Sequence, residues 1–181
     1  MRVISGVFRS RLLEEVPTES TRETKDRVKE SMCNSLQSDF YDAKVLDLFA
    51  GSGSLGIEAI SRGSKEVSFV DNNYQAITVL KRNLNSLQII DQARIYQEDF
   101  KTFLHHTTDR YDVIILDPPY DLDALDEIVE MIATKKLLNE DGIVALLYGK
   151  TTVLKTENNG IIEYKKKTIG ITNVSYLKWG I

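Results

Sequence analysis

The sequence predicts an α/β fold built on a mostly parallel sheet. Three observations predict it. Apolar, β-branched runs alternate with helical patterns from residue 44 onward, the signature of βαβ crossovers. A glycine-rich turn, "AGSGSLG", lies between the first such run and the first helix. Acids close the strand-like runs at Asp47, Asp71, Asp99 and Asp117, and in such sheets ligands sit at the carboxyl ends of the strands.

Taken in order, "KVLDLF" (44–49) reads as a strand and "SLGIEAISRG" (54–63) as a short helix ended by Gly63. "EVSFVD" (66–71) is a strand. "NYQAITVLKRNLNSLQ" (73–88) puts Ile77, Leu80, Leu84 and Leu87 on one helical face. "ARIYQED" (93–99) is a strand, "FKTFLHH" a short helix and "YDVIILD" (111–117) a strand. A helix is predicted over 122–138, with Leu125, Ile128 and Ile132 inward, and a strand over 142–148. "GIIEYKKKTIG" and "ITNVSYLKW" read as a closing antiparallel hairpin around Gly170. Residues 1–40 read as an extension over one edge of the sheet, a strand-like arm followed by a helix over 21–37, and 41–181 as the main unit.

With 181 residues the chain has room for one domain and a real core. A single cysteine, Cys33, excludes an internal disulfide framework and a four-cysteine zinc site. No signal peptide or membrane-spanning run is read, so a cytoplasmic location is expected. Net charge is −4, yet it is uneven. Residues 150–181 carry six basic and two acidic side chains, and residues 31–149 carry ten basic against nineteen acidic. An acidic protein with basic ends can still carry a local phosphate-binding surface. Lys165, Lys166 and Lys167 read equally well as a solvated strand edge. His105 and His106 read as solvent residues, Cys33 as packing, and Tyr176 and Trp179 as core.

The turn Gly51-x-Gly53-x-x-Gly56 matches a pattern shared by nicotinamide, flavin and methyl-donor proteins. Asp47 is the discriminating feature: a carboxylate before the loop repels a pyrophosphate and suits a ligand bearing an ammonium group, such as S-adenosylmethionine. Its alternative is a strand-end acid that caps loop amides. Phe49, Ala50, Gly51, Ser52 and Gly53 are the expected ligand turn. Asp71, with Asn72, is placed to accept hydrogen bonds from ribose hydroxyls. Asp99 is placed to accept from an adenine amine while Phe100 packs on the ring; the alternative is an N-cap and a core aromatic.

"DPPY" (117–120) asks for its own chemistry. Two prolines remove backbone donors and hold the chain extended. The Asp117 carboxylate and the Pro118 carbonyl then form two acceptors on a stiff rim, a match for an exocyclic amine. Pro119 completes the rim, and Tyr120 offers a face on which a base can stack. Acceptors holding the amine's hydrogens aim its lone pair at an electrophilic methyl.

These residues, with "RVISGVFRSRLL", "TRETKDRVKESMCNSL" and the stretch from Leu46 to Gly63, resemble the RsmD-type methyltransferases. The resemblance implies a class I S-adenosylmethionine-dependent fold, Rossmann-like. Its sheet would have seven strands, mostly parallel, with an antiparallel last strand. It implies methyl transfer to the N2 amine of a guanine in 16S ribosomal RNA, within the small subunit or an assembly intermediate. No metal is expected, because a sulfonium already activates the methyl; nor is a membrane partner, and a monomer is expected. By the same similarity Thr24 and Arg27 face the donor or target pocket, and Arg2, Arg9, Arg11 and Arg22 meet RNA phosphates. The chain departs from the family where Arg22-Glu23-Thr24 stands for Arg-Pro-Thr and where Tyr148 and Gly149 replace a glutamate-bearing strand end. Two rivals remain, a DNA adenine-N6 methyltransferase and a ribosome-assembly factor without turnover. A nicotinamide-dependent dehydrogenase fits Asp47 poorly.

Overall fold

The computed structural model describes residues 1–17, 26–155 and 157–181. Five parallel strands make the body of one sheet: β1 (Lys44–Asp47), β2 (Glu66–Val70), β3 (Ala93–Tyr96), β4 (Tyr111–Leu116) and β5 (Leu138–Gly149). The strands β6 (Glu157–Asn158), β7 (Ile161–Ile169) and β8 (Thr172–Trp179) complete it in the order β3-β2-β1-β4-β5-β8-β7-β6. β8 runs antiparallel to β5 and to β7. The sheet therefore has eight strands, not the expected seven, because the two-residue β6 adds a short edge to β7.

Helices cover both faces, as a parallel sheet requires. Alternate residues of each strand sort between two cores. Val45, Val113 and Ala145 pack with α1 (Asp26–Ser35), α3 (Ser54–Ser61) and α4 (Tyr74–Ser86). Leu46, Ile114 and Val144 pack with α5 (Phe100–His106) and α6 (Leu125–Thr134). Each fully buried Leu, Ile or Val contributes about 1.5–3 kcal/mol by leaving water. The predicted inward faces of α4 and α6 are buried, Ile77, Leu80, Leu84 and Leu87 on one, Leu125, Ile128 and Ile132 on the other. The Asn73 side chain caps α4 by accepting the Ala76 amide, and Asp99 caps α5 by accepting the Lys101 amide. Among the described residues no helix is long and apolar enough to cross a membrane.

The described part of the first forty residues differs from expectation in two ways. Met32, Cys33 and Leu36, together with Phe40 of the one-turn helix α2 (Gln37–Phe40), are buried against one face of the sheet rather than along an edge. The strand-like arm is a hook, with a single bridge between Arg2 and Leu12. Its amides serve α3 in place of a ladder: Ile4 and Ser5 donate to the Glu58 carboxylate at 2.9 and 3.0 Å, Val7 to the Ser61 carbonyl and Phe8 to the Ser61 hydroxyl. Lys29 and Glu58 are both fully buried beneath this hook. The Lys29 ammonium donates to the Arg2 carbonyl at 2.8 Å and to Ser54 Oγ at 3.0 Å, and lies 3.7 Å from Glu58. Arg62 closes the network with a 3.0 Å bond from Nε to Glu58.

Candidate active site

The carboxyl ends of β1 to β4 open into a cleft of about 370 Å³, within the usual range of small-molecule sites. Gly51 of the glycine turn and Asp117 of the DPPY rim line the same cleft. Asp71 stands between strand β2 and the turn. One carboxylate oxygen accepts the Gly51 amide at 2.9 Å and the other the Asn73 amide at 2.8 Å. A carboxylate has about four acceptor positions, so two are still directed elsewhere once both amides are served. That is the capacity a ribose diol needs. Phe49 and Phe100 both border the cleft and touch each other, with ring centroids 5.3 Å apart.

The electrostatics are one-sided. Asp71, Glu98, Asp99 and Asp117 line the cleft, and among the described residues no Lys, Arg or His does. A pyrophosphate is repelled there, whereas a ligand carrying sulfonium and ammonium charge is attracted.

Of the residues singled out in the sequence, Phe49, Gly51, Asp71, Asn72, Asp99, Phe100, Asp117 and Pro119 line the cleft. Asp47 does not. It is fully buried below the turn, where Oδ2 accepts the Gly56 amide at 3.0 Å near the start of α3. Its role in the fold is to hold the turn from beneath. Ala50, Ser52 and Gly53 are buried supports of the turn as well. Gly53 sits at φ +86°, and a Cβ there would fall 2.2 Å from Leu80 Cδ1, so the turn needs glycine. Asp99 both borders the cleft and caps α5. Glu98 and Asn73 are cleft residues that sequence reasoning missed. Glu98 Oε1 pairs with His106 Nε2 at 2.5 Å, so His106, exposed at the end of α5 as expected, is also tied to the rim of the cleft.

Pro118 is buried and Pro119 exposed, and the Pro119 carbonyl accepts the Leu122 amide at 3.0 Å. The turn therefore closes one residue beyond Pro118. Tyr120 is half-buried and leans over Gly149, its hydroxyl bonded to Thr172 Oγ1 at 2.5 Å. It borders a second, smaller hollow with Pro118, Leu122, Tyr148 and Gly149. The fifth-strand departure noted in the sequence thus supplies the floor of this hollow.

Arg22 and Thr24 lie outside the described residues. Arg27 is exposed on the first turn of α1. Arg2, Arg9 and Arg11 are exposed on the hook. Arg11 bonds the Ser86 carbonyl at the end of α4, and the turn holding Arg9 packs on Ser61 at the end of α3. α3 runs away from the cleft by about 12 Å, so Arg9 stands toward the opposite end of the sheet, whereas the Arg11 carbonyl accepts the Val3 amide beside Arg2, whose carbonyl shares Lys29 with Ser54 at the start of α3.

Residues 1–178 match the family described as "Conserved hypothetical protein 95". Two relatives follow it almost end to end. YlbH of Bacillus subtilis, provisionally named an rRNA methyltransferase, is 39% identical over 98% of each chain. "Ribosomal RNA small subunit methyltransferase D" of Haemophilus influenzae is 34% identical over 97% of this chain and 91% of its own. The chain belongs to this family, the RsmD-type methyltransferases.

The fold agrees. The Escherichia coli structure of yhhF, provisionally named a methyltransferase, superposes with a TM-score of 0.89 at 26% identity over 99% of this chain and 97% of its own. HI0767 of Haemophilus influenzae, provisionally named a methylase, gives 0.82 at 30% identity over 97% and 96%. The RsmD-type fold is thus the class I methyltransferase sheet, with a short eighth strand in this member.

Proposed function

We propose that this chain transfers a methyl group from S-adenosylmethionine to the N2 amine of a guanine in 16S ribosomal RNA, within the small subunit or an assembly intermediate. The observation that carries the reading is the cleft itself: Gly51, Asp71 and Asp117 border one cavity lined by four carboxylates. An acidic cavity with a ribose-binding acid and two aromatic walls favours a cationic nucleoside over a dinucleotide. Names of relatives at 34–39% identity support ribosomal RNA as the substrate.

When bound, S-adenosylmethionine supplies a methyl already activated by its sulfonium. Asp71 would hold the ribose hydroxyls, and Phe49 and Phe100 the adenine. The Asp117 carboxylate and Pro118 carbonyl would accept the two hydrogens of the guanine amine. An aromatic amine is a poor nucleophile because its lone pair is delocalised, and two acceptors favour the more tetrahedral nitrogen. Asp117 has no need to take a proton first, since the amine becomes acidic as it gains the methyl. Extruding a stacked base costs a few kcal/mol, and the face of Tyr120 returns about 1–3 kcal/mol by stacking.

The test uses labelled donor and small subunits from cells lacking this chain. The wild type should place label on one guanine of 16S RNA, read as N2-methylguanine by mass spectrometry. Asp117→Ala should still bind the donor and lose transfer. Label on adenine or on duplex DNA overturns the substrate, and absence of donor binding by calorimetry overturns the whole reading.

A further inference from the structure

An RNA substrate brings a negative charge with every phosphate, and the cleft answers with carboxylates. The backbone must therefore be gripped outside the cleft. Arg9 sits toward the far end of the sheet, on the turn that packs on Ser61. The hairpin β7–β8 sits beside the rim. Thr172, which bonds the Tyr120 hydroxyl, pairs with Gly149 on one side and with Ile169 on the other. The upper end of β7 is thus one strand, about 5 Å, from the residue that holds Tyr120.

That end of β7 is basic and open. β6 pairs only with Ile161 and Ile162, so among the described residues the outer edge of β7 from Glu163 to Ile169 has no strand beside it. Lys165, Lys166 and Lys167 lie on it in succession. Lys166 stands over the Tyr148 ring, 5.8 Å from its centroid, and Tyr148 borders the hollow that holds Tyr120 and Pro118. On the opposite face of the sheet, Lys165 stands over Tyr176 at 5.1 Å, and Lys167 donates to Ser35 Oγ at 3.0 Å. Lys150 opens the turn after β5, its amide bonded to the Ile171 carbonyl. The acid on this strand, Glu163, accepts from Ser175 Oγ at 2.5 Å. An ammonium group held over an aromatic ring has less freedom to lose on binding.

The geometry points to the β7–β8 hairpin as the surface that grips the RNA backbone, with Lys150 and Lys166 taking phosphates beside the base held at the DPPY rim and Lys167 taking one on the other face of the same open edge. The assignment rests on the ribosomal RNA reading above. Its rival is edge protection, since lysines on an open strand also block pairing with another chain.

The experiment compares the wild type with the triple variant Lys150→Gln, Lys166→Gln, Lys167→Gln. Binding to small subunits from cells lacking this chain is measured across a salt series, alongside calorimetry with S-adenosylmethionine and sedimentation. Removing three phosphate contacts should weaken binding at least about tenfold at physiological salt and lower the log–log salt slope by about two. The loss in transfer should fall on KM for the particle, with donor affinity unchanged. Unchanged particle affinity overturns the proposal, whether or not the variant self-associates. So does a loss of equal size in Arg9→Gln, at the far end of the sheet. A wild type that binds donor but methylates no ribosomal particle sinks the function instead, which separates the two failures.

Discussion

The Asp71 carboxylate accepts the Gly51 amide at 2.9 Å, joining the end of β2 to the glycine turn that follows β1. One acid therefore shapes the turn and faces the ligand. Asp71→Asn replaces one oxygen by a donor, which would meet either the Gly51 or the Asn73 amide head-on. Hydrogen bonds to a charged group contribute about 1.5–3 kcal/mol. Affinity for S-adenosylmethionine should fall about 10- to 100-fold by calorimetry.

The Gly53 turn is a separate lever. At φ +86°, with Leu80 Cδ1 only 2.2 Å from an added Cβ, Gly53→Ala combines backbone strain with overpacking. The expected cost is about 2–4 kcal/mol. Thermal unfolding should show a clear fall in Tm, and donor affinity should fall with it because Gly51 moves too.

Much of this architecture was legible in the sequence, because it rests on local patterns. Leu80 and Leu84 share a helical face at any tertiary placement, and "AGSGSLG" between strand and helix has few alternative conformations. What was illegible depended on contacts between distant residues. The hook from Arg2 to Leu12 alternates like a strand, yet its amides are claimed by Glu58 and Ser61, more than fifty positions away. Asp47 read as a partner of a ligand or of a loop amide, and the turn that brings the Gly56 amide to its Oδ2 is set by packing rather than by local pattern. Glu98 and Asn73 stand next to the predicted Asp99 and Asn72, and only the course of the loops after β3 and β2 brings them to the cleft. Lys29 resembles any surface lysine until α1 is laid over α3.

The buried network beneath the hook should behave as a unit. Glu58 receives Ile4, Ser5 and Arg62, with Lys29 at 3.7 Å. Glu58→Ala strands two cations and two amides, and breaking a buried pair costs about 3–5 kcal/mol. For a chain of this size that lowers Tm by roughly 10 °C. Calorimetry of Glu58→Ala, Lys29→Met and the double variant should find the double change milder than the sum.

Alkaline pH should unfold the protein early. Burial, with help from Glu58, pushes the Cys33 thiol up to about 12. Burial also pushes the Tyr111 hydroxyl up to about 12. Both groups are acids held neutral by the fold. Their contribution is complete below the unfolded pKa values of 9.0 and 10.0 and is lost as pH rises through the folded ones. Each can supply a slope of about 1.4 kcal/mol per pH unit in that window. Urea midpoints should decline from about pH 9 upward, less steeply in Cys33→Ala. A thiol reagent at pH 8 should label Cys33 only as fast as the chain opens.

Tyr120 carries two separable roles, and conservative variants divide them. Its hydroxyl bonds Thr172 and fixes the rim to β8, while its ring borders the hollow between Pro118 and Tyr148. Tyr120→Phe and Thr172→Val each remove the bond and keep the ring. Each should cost about 0.5–1.5 kcal/mol of stability, and the double variant little more than either alone, since both delete one interaction. Transfer should fall modestly in all three as the rim loosens. Tyr120→Ala removes the stacking face as well, worth about 1–3 kcal/mol per base, so its loss should exceed that of Tyr120→Phe by about tenfold or more. Equal activity in Tyr120→Ala and Tyr120→Phe would confine the residue to anchoring the rim and remove base stacking from its role.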